Sequence, residues 1–369
     1  MIVTVKQVVP LWKDDVPANN IELLQFNEVD FEVVRQKDLN QVGDKLYLFL
    51  PDYNLPDTEL FEDYIRPNGD PKKSKLGSKN RIRAVKFNFH KGDGVPVFSN
   101  GIVMQFENEG SYHFTYEDFG VYKYVEEESV QTNLGGKKMS FPPNLYKTDE
   151  NNILNISLEF PRIYNGALKV DGSSITIYSH NNEYGITSRN IRKSLTETVR
   201  VGKRKPRWYE KILMFFKYKV ILSIYEEQDA INDFVVIGKP YLEKLIKYTA
   251  TTGKQLALRG ELCGIGLKGS GNKHNPHANL EKQILFFGAD YYDGKSYRKL
   301  SNTEFTELVN DLQLPRCPVI FDRVFENKQE LYDECNNYFK TNLVEGIVIR
   351  NEGTSVSCKF MNLEYDAKK

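Results

Sequence analysis

The first third of the chain alternates short apolar runs with Gly, Pro, Asn and Asp, a pattern that predicts β-strands joined by tight turns. Residues 45–50 and 102–106 are clear examples of such runs. Their length and spacing favour a small β-barrel over a sheet with helical crossovers. A polar segment rich in Gly and Lys, residues 67–80, interrupts the pattern, and we expect it to be a mobile loop.

The second part of the chain has a different pattern. Residues 126–152 are acidic and then rich in Gly and Pro, so we predict a linker there. The predicted strands beyond it are 168–178, 255–262, 283–292, 344–350 and 356–361, and the predicted helices are 209–225, 239–251, 303–312 and 328–341. We therefore expect an α+β protein, with a β-barrel domain at residues 1–125 and an α+β domain at residues 153–369.

Composition narrows the class of protein. The 369 residues carry 50 basic and 50 acidic side chains, and 40% are apolar, as in ordinary globular proteins. Apolar runs such as residues 212–216 are far shorter than the roughly 18 residues of a membrane span, and the amino terminus lacks a secretory signal pattern. We expect an intracellular protein, cytoplasmic or nuclear. The four cysteines form no C-x-x-C pair, which argues against a zinc site and a disulfide scaffold.

Lys169-Val170-Asp171-Gly172 is the central chemical feature of the sequence. On its own it has a plain structural explanation, because Asp-Gly between two strands is a strong hairpin signal. An ordered series of further motifs favours chemistry. These are Ser188-Arg189-Asn190, Arg259-Gly260-Glu261-Leu262, residues 284–290, residues 344–350 and Ser357-Cys358-Lys359-Phe360.

This ordered set resembles motifs I, Ia, III, IIIa, IV and V of the covalent nucleotidyltransferases, the superfamily of polynucleotide ligases and mRNA capping enzymes. The resemblance implies an ATP-grasp-like ligase adenylylation domain with antiparallel sheets and flanking helices. It implies that Lys169 is the nucleophile that takes AMP from ATP. The other implied nucleotide-binding residues are Leu168, Arg189, Glu261, Phe287 and Lys359.

Two positions depart from the family pattern. Ser357 stands where many ligases have a second motif V lysine, and Ala289 stands where an aromatic residue usually precedes the motif IIIa aspartate, here Asp290. Phe287, two residues before Ala289 on the same strand face, is our candidate for stacking on the base. Core packing is an equally good account of Phe287.

Three carboxylates on separate strands form a candidate metal site. Glu261 and Glu345 lie in apolar, strand-like runs, where a carboxylate is costly unless it meets a cation. Together with Asp171 they would suit Mg²⁺ or Mn²⁺, which prefer oxygen ligands. The alternative is that each is a surface or ion-paired residue. Because a lysine with a pKa of about 10.4 is protonated at neutral pH, we expect burial, a metal and Lys359 to lower the pKa of Lys169.

The arrangement of domains distinguishes branches of the superfamily. Residues 361–369 are too few for the C-terminal OB domain of DNA ligases and capping enzymes, whereas residues 81–86 resemble the N-terminal OB domain of a small RNA ligase branch. Cations interleaved with aromatic residues suit a polynucleotide groove. The RNA-binding candidates are Arg81, Arg83, Lys86 and Phe87, with Lys203 and Arg204 from a run that holds five cations in eight residues. A half-buried strand with a solvated basic face and a solvated loop are the alternatives.

The sequence thus predicts an ATP-dependent RNA ligase that uses Mg²⁺ or Mn²⁺. By resemblance it seals 3′-hydroxyl and 5′-phosphate RNA ends, including nicks in duplex RNA or RNA/DNA hybrids, through a lysyl-AMP intermediate and an adenylylated RNA 5′ end. We expect a monomer. The alternatives are a DNA ligase, an mRNA capping guanylyltransferase, and a non-catalytic RNA-binding protein with a decayed nucleotidyltransferase domain.

Overall fold

A computed structural model describes residues 1–106, 115–124, 139–143, 145–147, 150–153, 156–195, 198–205, 224–229, 232–267, 269–270, 272–352, 354 and 356–367. It divides into two units, one of residues 1–126, 151–158 and 361–369 and the other of residues 127–150 and 159–360. The domain boundaries and the linker at 126–152 stay predictions. No helix in the described ranges is long and apolar enough to span a membrane.

The first unit is built mainly from antiparallel strands. They are β1 (Ile2–Lys13), β2 (Val16–Phe26), β3 (Glu32–Gln36), β4 (Lys45–Phe49), β5 (Tyr53–Asn54), β6 (Val85–His90), β7 (Pro96–Ser99), β8 (Ile102–Gln105) and β9 (Tyr122–Lys123), with the one-turn helix α1 (Glu62–Ile65). Residues 67–80, predicted to be a loop, contain three single-turn 3-10 helices, Pro67–Gly69, Pro71–Lys73 and Ser78–Asn80.

Seven of these strands form one sheet, in which β4 lies between β1 and β8. Strands β3, β2, β1, β4 and β8 are neighbours in that order, and β6 pairs with β1 and β7. Leu46 and Leu48 of β4 pack in one apolar cluster while Tyr47 and Phe49 pack in another, so β4 is buried on both faces. The predicted barrel does not close within the described residues, because β3 and β7 form no ladder of paired residues. The N–H of Asn100, directly after β7, donates to the Glu32 carbonyl of β3 at 2.8 Å.

The remaining elements follow in chain order. The strands are β10 (Met139–Ser140), β11 (Asn151–Asn152), β12 (Arg162–Lys169), β13 (Ser173–His180), β14 (Glu183–Ser188), β15 (Ile191–Lys193), β16 (Thr198–Arg204), β17 (Ile224–Asp229), β18 (Gln255–Cys263), β19 (Gln283–Tyr292), β20 (Tyr297–Lys299), β21 (Val319–Phe325), β22 (Gly346–Asn351) and β23 (Ser357–Met361). The helices are α2 (Asp233–Thr252), α3 (Asn302–Leu312), α4 (Lys328–Thr341) and α5 (Leu363–Ala367).

The second unit contains two larger antiparallel sheets and the two-stranded antiparallel sheet of β16 and β17. The larger has the order β10, β15, β14, β13, β18, β19, β20, and the smaller contains β23, β22, β12 and β21 as successive neighbours. Leu242 and Leu245 of α2 and Leu308 of α3 pack with Ile175 and Ile177 of β13 in the main core of this unit. Mixed helices and antiparallel sheets confirm the predicted α+β class.

Three predicted elements differ from those observed. The strand expected at 168–178 is two strands in different sheets, β12 and β13, because the chain bends at Asp171 and Gly172. Helix α2 begins six residues before its predicted start at 239, at the cap formed by Asn232, whose side chain accepts from the Phe234 N–H at 3.0 Å. Most of the helix predicted at 209–225 lies outside the described residues, and residues 224 and 225 belong to β17.

Candidate active site

Lys169 and Glu345 meet at the end of two paired strands. Strand β12 ends at Lys169 and pairs antiparallel with β22, so that Lys169 lies opposite Gly346, the residue after Glu345. The Lys169 Nζ lies 2.6 Å from Glu345 Oε2. The side chains are 26% and 10% exposed, respectively, so this ion pair is accessible chiefly through Lys169. Two motifs 176 residues apart in the chain thus form one site.

Asp171 and Glu261 lie beside this pair on neighbouring elements. Asp171, only 7% exposed, is in the turn between β12 and β13. Strand β13 pairs with β18 so that Ser174 faces Glu261. Gly172 allows this close approach, because a Cβ atom there would lie 2.5 Å from the Leu262 carbonyl oxygen. The glycine of the motif therefore has a steric role between the turn and β18.

The carboxylates control the charge of the candidate nucleophile. Burial alone would lower the pKa of Lys169, because it disfavours the charged form. The charge and hydrogen bond of Glu345, followed by the charges of Glu261 and Asp171, outweigh burial and raise the pKa of Lys169 above its ordinary value. This direction is opposite to the lowered pKa that the sequence predicts. The lowered pKa was expected from a metal ion and Lys359 near the lysine, whereas the charges that act on Lys169 here are those of Glu345, Glu261 and Asp171.

The same carboxylates are the predicted metal ligands. No group of three or more His, Cys, Asp or Glu side chains in the described ranges is arranged to hold a metal ion. All three carboxylates nevertheless act electrostatically on Lys169, and Glu345 Oε2 lies 2.6 Å from its Nζ. An all-oxygen set of this kind fits Mg²⁺ or Mn²⁺.

Lys359 and Arg189 approach from the flanking strands. Lys359 lies on β23, the neighbour of β22 in the smaller sheet, and β22 in turn pairs with β12, which ends at Lys169. Arg189 directly follows β14, whose last residue, Ser188, pairs with Ile175 of β13. Both side chains are partly exposed.

Leu168 and Phe287 pack in an apolar cluster behind the turn. Its buried members are Leu168, Val170, Cys263, Cys317 and Val344, and Phe287 is partly buried against them. The Arg350 guanidinium carbon lies 5.4 Å from the Phe287 ring centroid. Packing and this cation–π contact account for Phe287 in the structure, so its role in base stacking stays a prediction.

A buried ion pair adds a feature that the sequence-based site lacks. Arg259 and Asp290 are 3% and 5% exposed, and the Arg259 Nε donates to Asp290 Oδ2 at 2.8 Å. Arg259 Nη1 also donates to Thr176 Oγ1 at 2.9 Å. Arg259, two residues before Glu261 on β18, thus links β18 to both β13 and β19. The sequence does contain a signal for this ion pair: Arg259 lies inside the apolar run 256–262, and a buried charge needs a partner.

The predicted RNA-binding residues of the first unit differ in their surroundings. Arg81 pairs with Asp52 and stacks over the Tyr124 ring, with its guanidinium carbon 4.7 Å from the centroid. Lys86 Nζ lies 2.6 Å from Glu364 Oε1 of α5.

Arg83 and Phe87 are placed differently. Arg83 is exposed, and its Nε donates to the Lys75 carbonyl at 2.9 Å. Phe87 packs partly buried against a cluster of Leu11, Leu23 and Val97. Lys203 and Arg204 lie on β16, whose side chains are outside the described part of the structure.

Comparison with solved structures shows the fold. A Naegleria gruberi RNA ligase variant with AMP and Mn is 19% identical, with a TM-score of 0.68 over 100% of this chain and 98% of that one. A variant of the same ligase with ATP and Mn is also 19% identical, with a TM-score of 0.68 over 100% and 97%. The ligase with PPi gives 19% identity and a TM-score of 0.67 over 99% and 96%.

Comparison with known sequences gives a match to a family model but none to a curated protein. The model of the RNA ligase family matches residues 167–362, from the strand that carries Lys169 to just beyond Lys359. The match covers more than half of the 369 residues and includes each motif of the candidate site. The chain belongs to the RNA ligase family.

Proposed function

We propose that this protein is an ATP-dependent RNA ligase that joins a 3′-hydroxyl to a 5′-phosphate through an AMP group carried on Lys169. The observation that carries the proposal is the pairing of Lys169 with Glu345 at 2.6 Å, beside Asp171 and Glu261, in a chain of the RNA ligase family. A nucleophile and a candidate metal-binding set in one place provide for attack on the α-phosphate.

The reaction consists of three displacements at phosphorus. Lys169 Nζ forms a bond to the α-phosphorus of ATP as pyrophosphate leaves. An oxygen of the RNA 5′-phosphate then attacks that phosphorus, and the bond to Lys169 breaks. Finally the RNA 3′-hydroxyl attacks the 5′-phosphorus and AMP leaves. Alignment and charge neutralisation supply most of the catalysis in such in-line reactions.

Lys169 has to lose a proton before it attacks, and the surrounding carboxylates oppose that loss. Asp171, Glu261 and Glu345 would hold Mg²⁺ or Mn²⁺, which supplies positive charge that neutralises both the carboxylates and the ATP phosphates. The solved relatives include forms with ATP and Mn and with AMP and Mn. In our proposal Lys359 contacts the α-phosphate, Arg189 the ribose or phosphates, and Leu168 and Phe287 the base.

The N-terminal domain, residues 1–125, serves as the RNA platform in this proposal. Arg83 supports it best, because its side chain is exposed and close to the backbone of Lys75. The segment before it adds exposed cations at Lys72, Lys73 and Lys75, for which no acidic partner is found among the described residues. Arg81 and Lys86 would have to exchange Asp52 and Glu364 for phosphate. Exposed cations of this kind contact the backbone irrespective of sequence.

We further propose that the substrate is nicked duplex RNA or an RNA/DNA hybrid, that the ligase acts as a monomer, and that it works in the cytoplasm or nucleus. Residues 153–369 form the adenylylation domain. Family membership favours RNA ligation over DNA ligation and capping. A decayed, non-catalytic RNA-binding protein is the remaining alternative, which the sealing assay distinguishes.

The test is sealing of nicked duplexes by the full chain with ATP and Mg²⁺ or Mn²⁺. The nicks differ only in the sugar that carries the terminal 3′-hydroxyl. We expect a ribose to be sealed faster than a 2′-deoxyribose, and GTP to be inactive. Equal rates with the two sugars would favour a DNA ligase, and no sealing with either would favour the decayed protein.

A further inference from the structure

The turn that carries Asp171 is held by a loop that none of the motifs includes. This loop follows β18 and spans residues 264–282, of which residues 268 and 271 are outside the described set. Asn275 is one of its buried residues, with 6% of its surface exposed. Its Nδ2 donates to the Asp171 carbonyl at 3.0 Å and to the Gly269 carbonyl at 3.1 Å. The loop is therefore fastened to the catalytic turn through the backbone.

Each polar atom of the Asn275 side chain has a partner. In addition to the two bonds donated by Nδ2, Oδ1 accepts from the His277 N–H at 2.9 Å. Only an amide combines two donors with an acceptor in this shape, because a carboxylate cannot donate and an apolar residue can do neither. Removing the donors would leave the Asp171 and Gly269 carbonyls without these bonds, which is unfavourable for acceptors shielded from water.

Gly269 makes the approach of the loop possible. Its φ is +81°, and a Cβ atom there would lie 2.6 Å from the Asp171 carbonyl oxygen and 2.9 Å from Asn275 Nδ2. On the other side of the turn, Gly172 packs against the Leu262 carbonyl of β18. The turn between Lys169 and Ser173 is thus held between a strand and a loop, each in close contact with it at a glycine.

We infer that Asn275, with Gly269, is a positioning residue that fixes the Lys169–Gly172 turn for transfer of AMP. Asn275 acts through the Asp171 backbone and so sets the direction of the Asp171 carboxylate and its distance from Lys169. This inference rests on the proposed function, because it concerns the rate of the first step. A displacement of about 1 Å at such a turn lowers a rate by up to roughly 100-fold.

The experiment measures single-turnover transfer of labelled AMP to the full-length protein over a range of ATP concentrations. The Asn275→Asp variant keeps the acceptor and the shape but removes the donors. Gly269→Ala would push against the same carbonyl, because its Cβ atom would lie 2.6 Å from the Asp171 oxygen. The matched control, Asn327→Ala, removes the bond from the Glu330 N–H at 3.0 Å that caps α4, which destabilises the same unit away from the turn.

We expect both turn variants to lower the limiting rate of AMP transfer by roughly 10- to 100-fold, while the ATP concentration at half-maximal rate changes by less than about threefold. Asn327→Ala should keep its rate despite a lower melting temperature. The inference is overturned if Asn275→Asp transfers AMP at the wild-type rate, if the control slows as much, or if both turn variants fail to fold. Absence of labelling in the wild type would instead refute the proposed function itself.

Discussion

At the residue scale, the ion pair with Glu345 favours the charged form of Lys169, the proposed nucleophile. Because Glu345 is the largest influence raising the pKa of Lys169, Glu345→Gln should lower that pKa toward its ordinary value in the absence of ATP and metal. The pH dependence of Lys169 acylation by an amine-reactive reagent, followed by peptide mass spectrometry, measures it. Glu159→Gln, which removes the exposed partner of Arg162, is the control. An unchanged profile in Glu345→Gln would contradict the electrostatic coupling.

The other carboxylates lead to a prediction about the metal. Asp171→Asn and Glu261→Gln each remove one negative charge from the candidate metal site without changing its shape. Both should therefore raise the concentration of Mg²⁺ or Mn²⁺ needed for half-maximal AMP transfer. Titration of each variant with metal at saturating ATP measures this shift. Titration curves identical to the wild type would remove the two residues from the site.

The sequence predicted the members of this site better than their interactions. The motif order alone predicts that Lys169, Asp171, Glu261 and Glu345 share a site, because motifs preserve which residues act together. It did not predict the raised pKa of Lys169, since that depends on distances. It also missed Asn275, whose role lies in bonds to backbone carbonyls that any residue at those positions would provide.

At the scale of elements, α3 begins with a complete capping box. The Ser301 Oγ accepts from the Glu304 N–H at 3.1 Å, and the Glu304 carboxylate accepts from the Ser301 N–H at 2.8 Å. Ser301→Ala should lower the free energy of unfolding by about 1 kcal/mol, since it leaves a helix N–H without its partner. Denaturant unfolding of the variant checks this value, and a change near zero would contradict it.

The same helix start gives a prediction about pH. The hydrogen bond from Arg298 is the largest influence on Glu304 and, with those from Ser301, lowers the pKa of Glu304 from 4.5 to about 2. Because the folded pKa is below the unfolded one, the stabilisation is present above pH 4.5 and is lost as the pH falls toward 2. The stability difference between the wild type and Glu304→Gln should shrink across that range. Glu307→Gln, exposed on the same helix, is the control, and a constant difference for Glu304→Gln would contradict the account.

Among the elements, amphipathic helices were predicted more accurately than turns. Helix α4 has the predicted bounds and α3 begins one residue early, because their apolar spacing and caps are local signals. Strands β12 and β13 were read as one strand because both are apolar. The bend between them takes the chain from one sheet to the other, so the hairpin that Asp171-Gly172 suggests does not form. The bend depends on Gly172 fitting against β18, a non-local contact that the apolar pattern does not contain.

At the scale of the whole molecule, our proposal assigns RNA contacts to the N-terminal domain, residues 1–125, and AMP transfer to residues 153–369. Replacing Lys75 and Arg83 together by Glu should weaken nick sealing and its dependence on salt, because phosphate contacts are lost. Transfer of AMP to the protein should be unaffected. Lys6→Glu with Lys13→Glu is the matched control, as these exposed lysines lie on β1 of the same unit. Loss of AMP transfer in the Lys75 and Arg83 variant, or equal loss of sealing in the control, would contradict this division.

The most direct test of the central claim is to locate the covalent AMP. The full-length protein is incubated with ATP and Mg²⁺ or Mn²⁺, denatured, digested, and analysed by tandem mass spectrometry. The account predicts one AMP on the peptide that contains Lys169, bound to that side chain, and none in the Lys169→Ala variant, which should keep its fold. An AMP adduct on another residue, or one that persists in Lys169→Ala, would contradict the account.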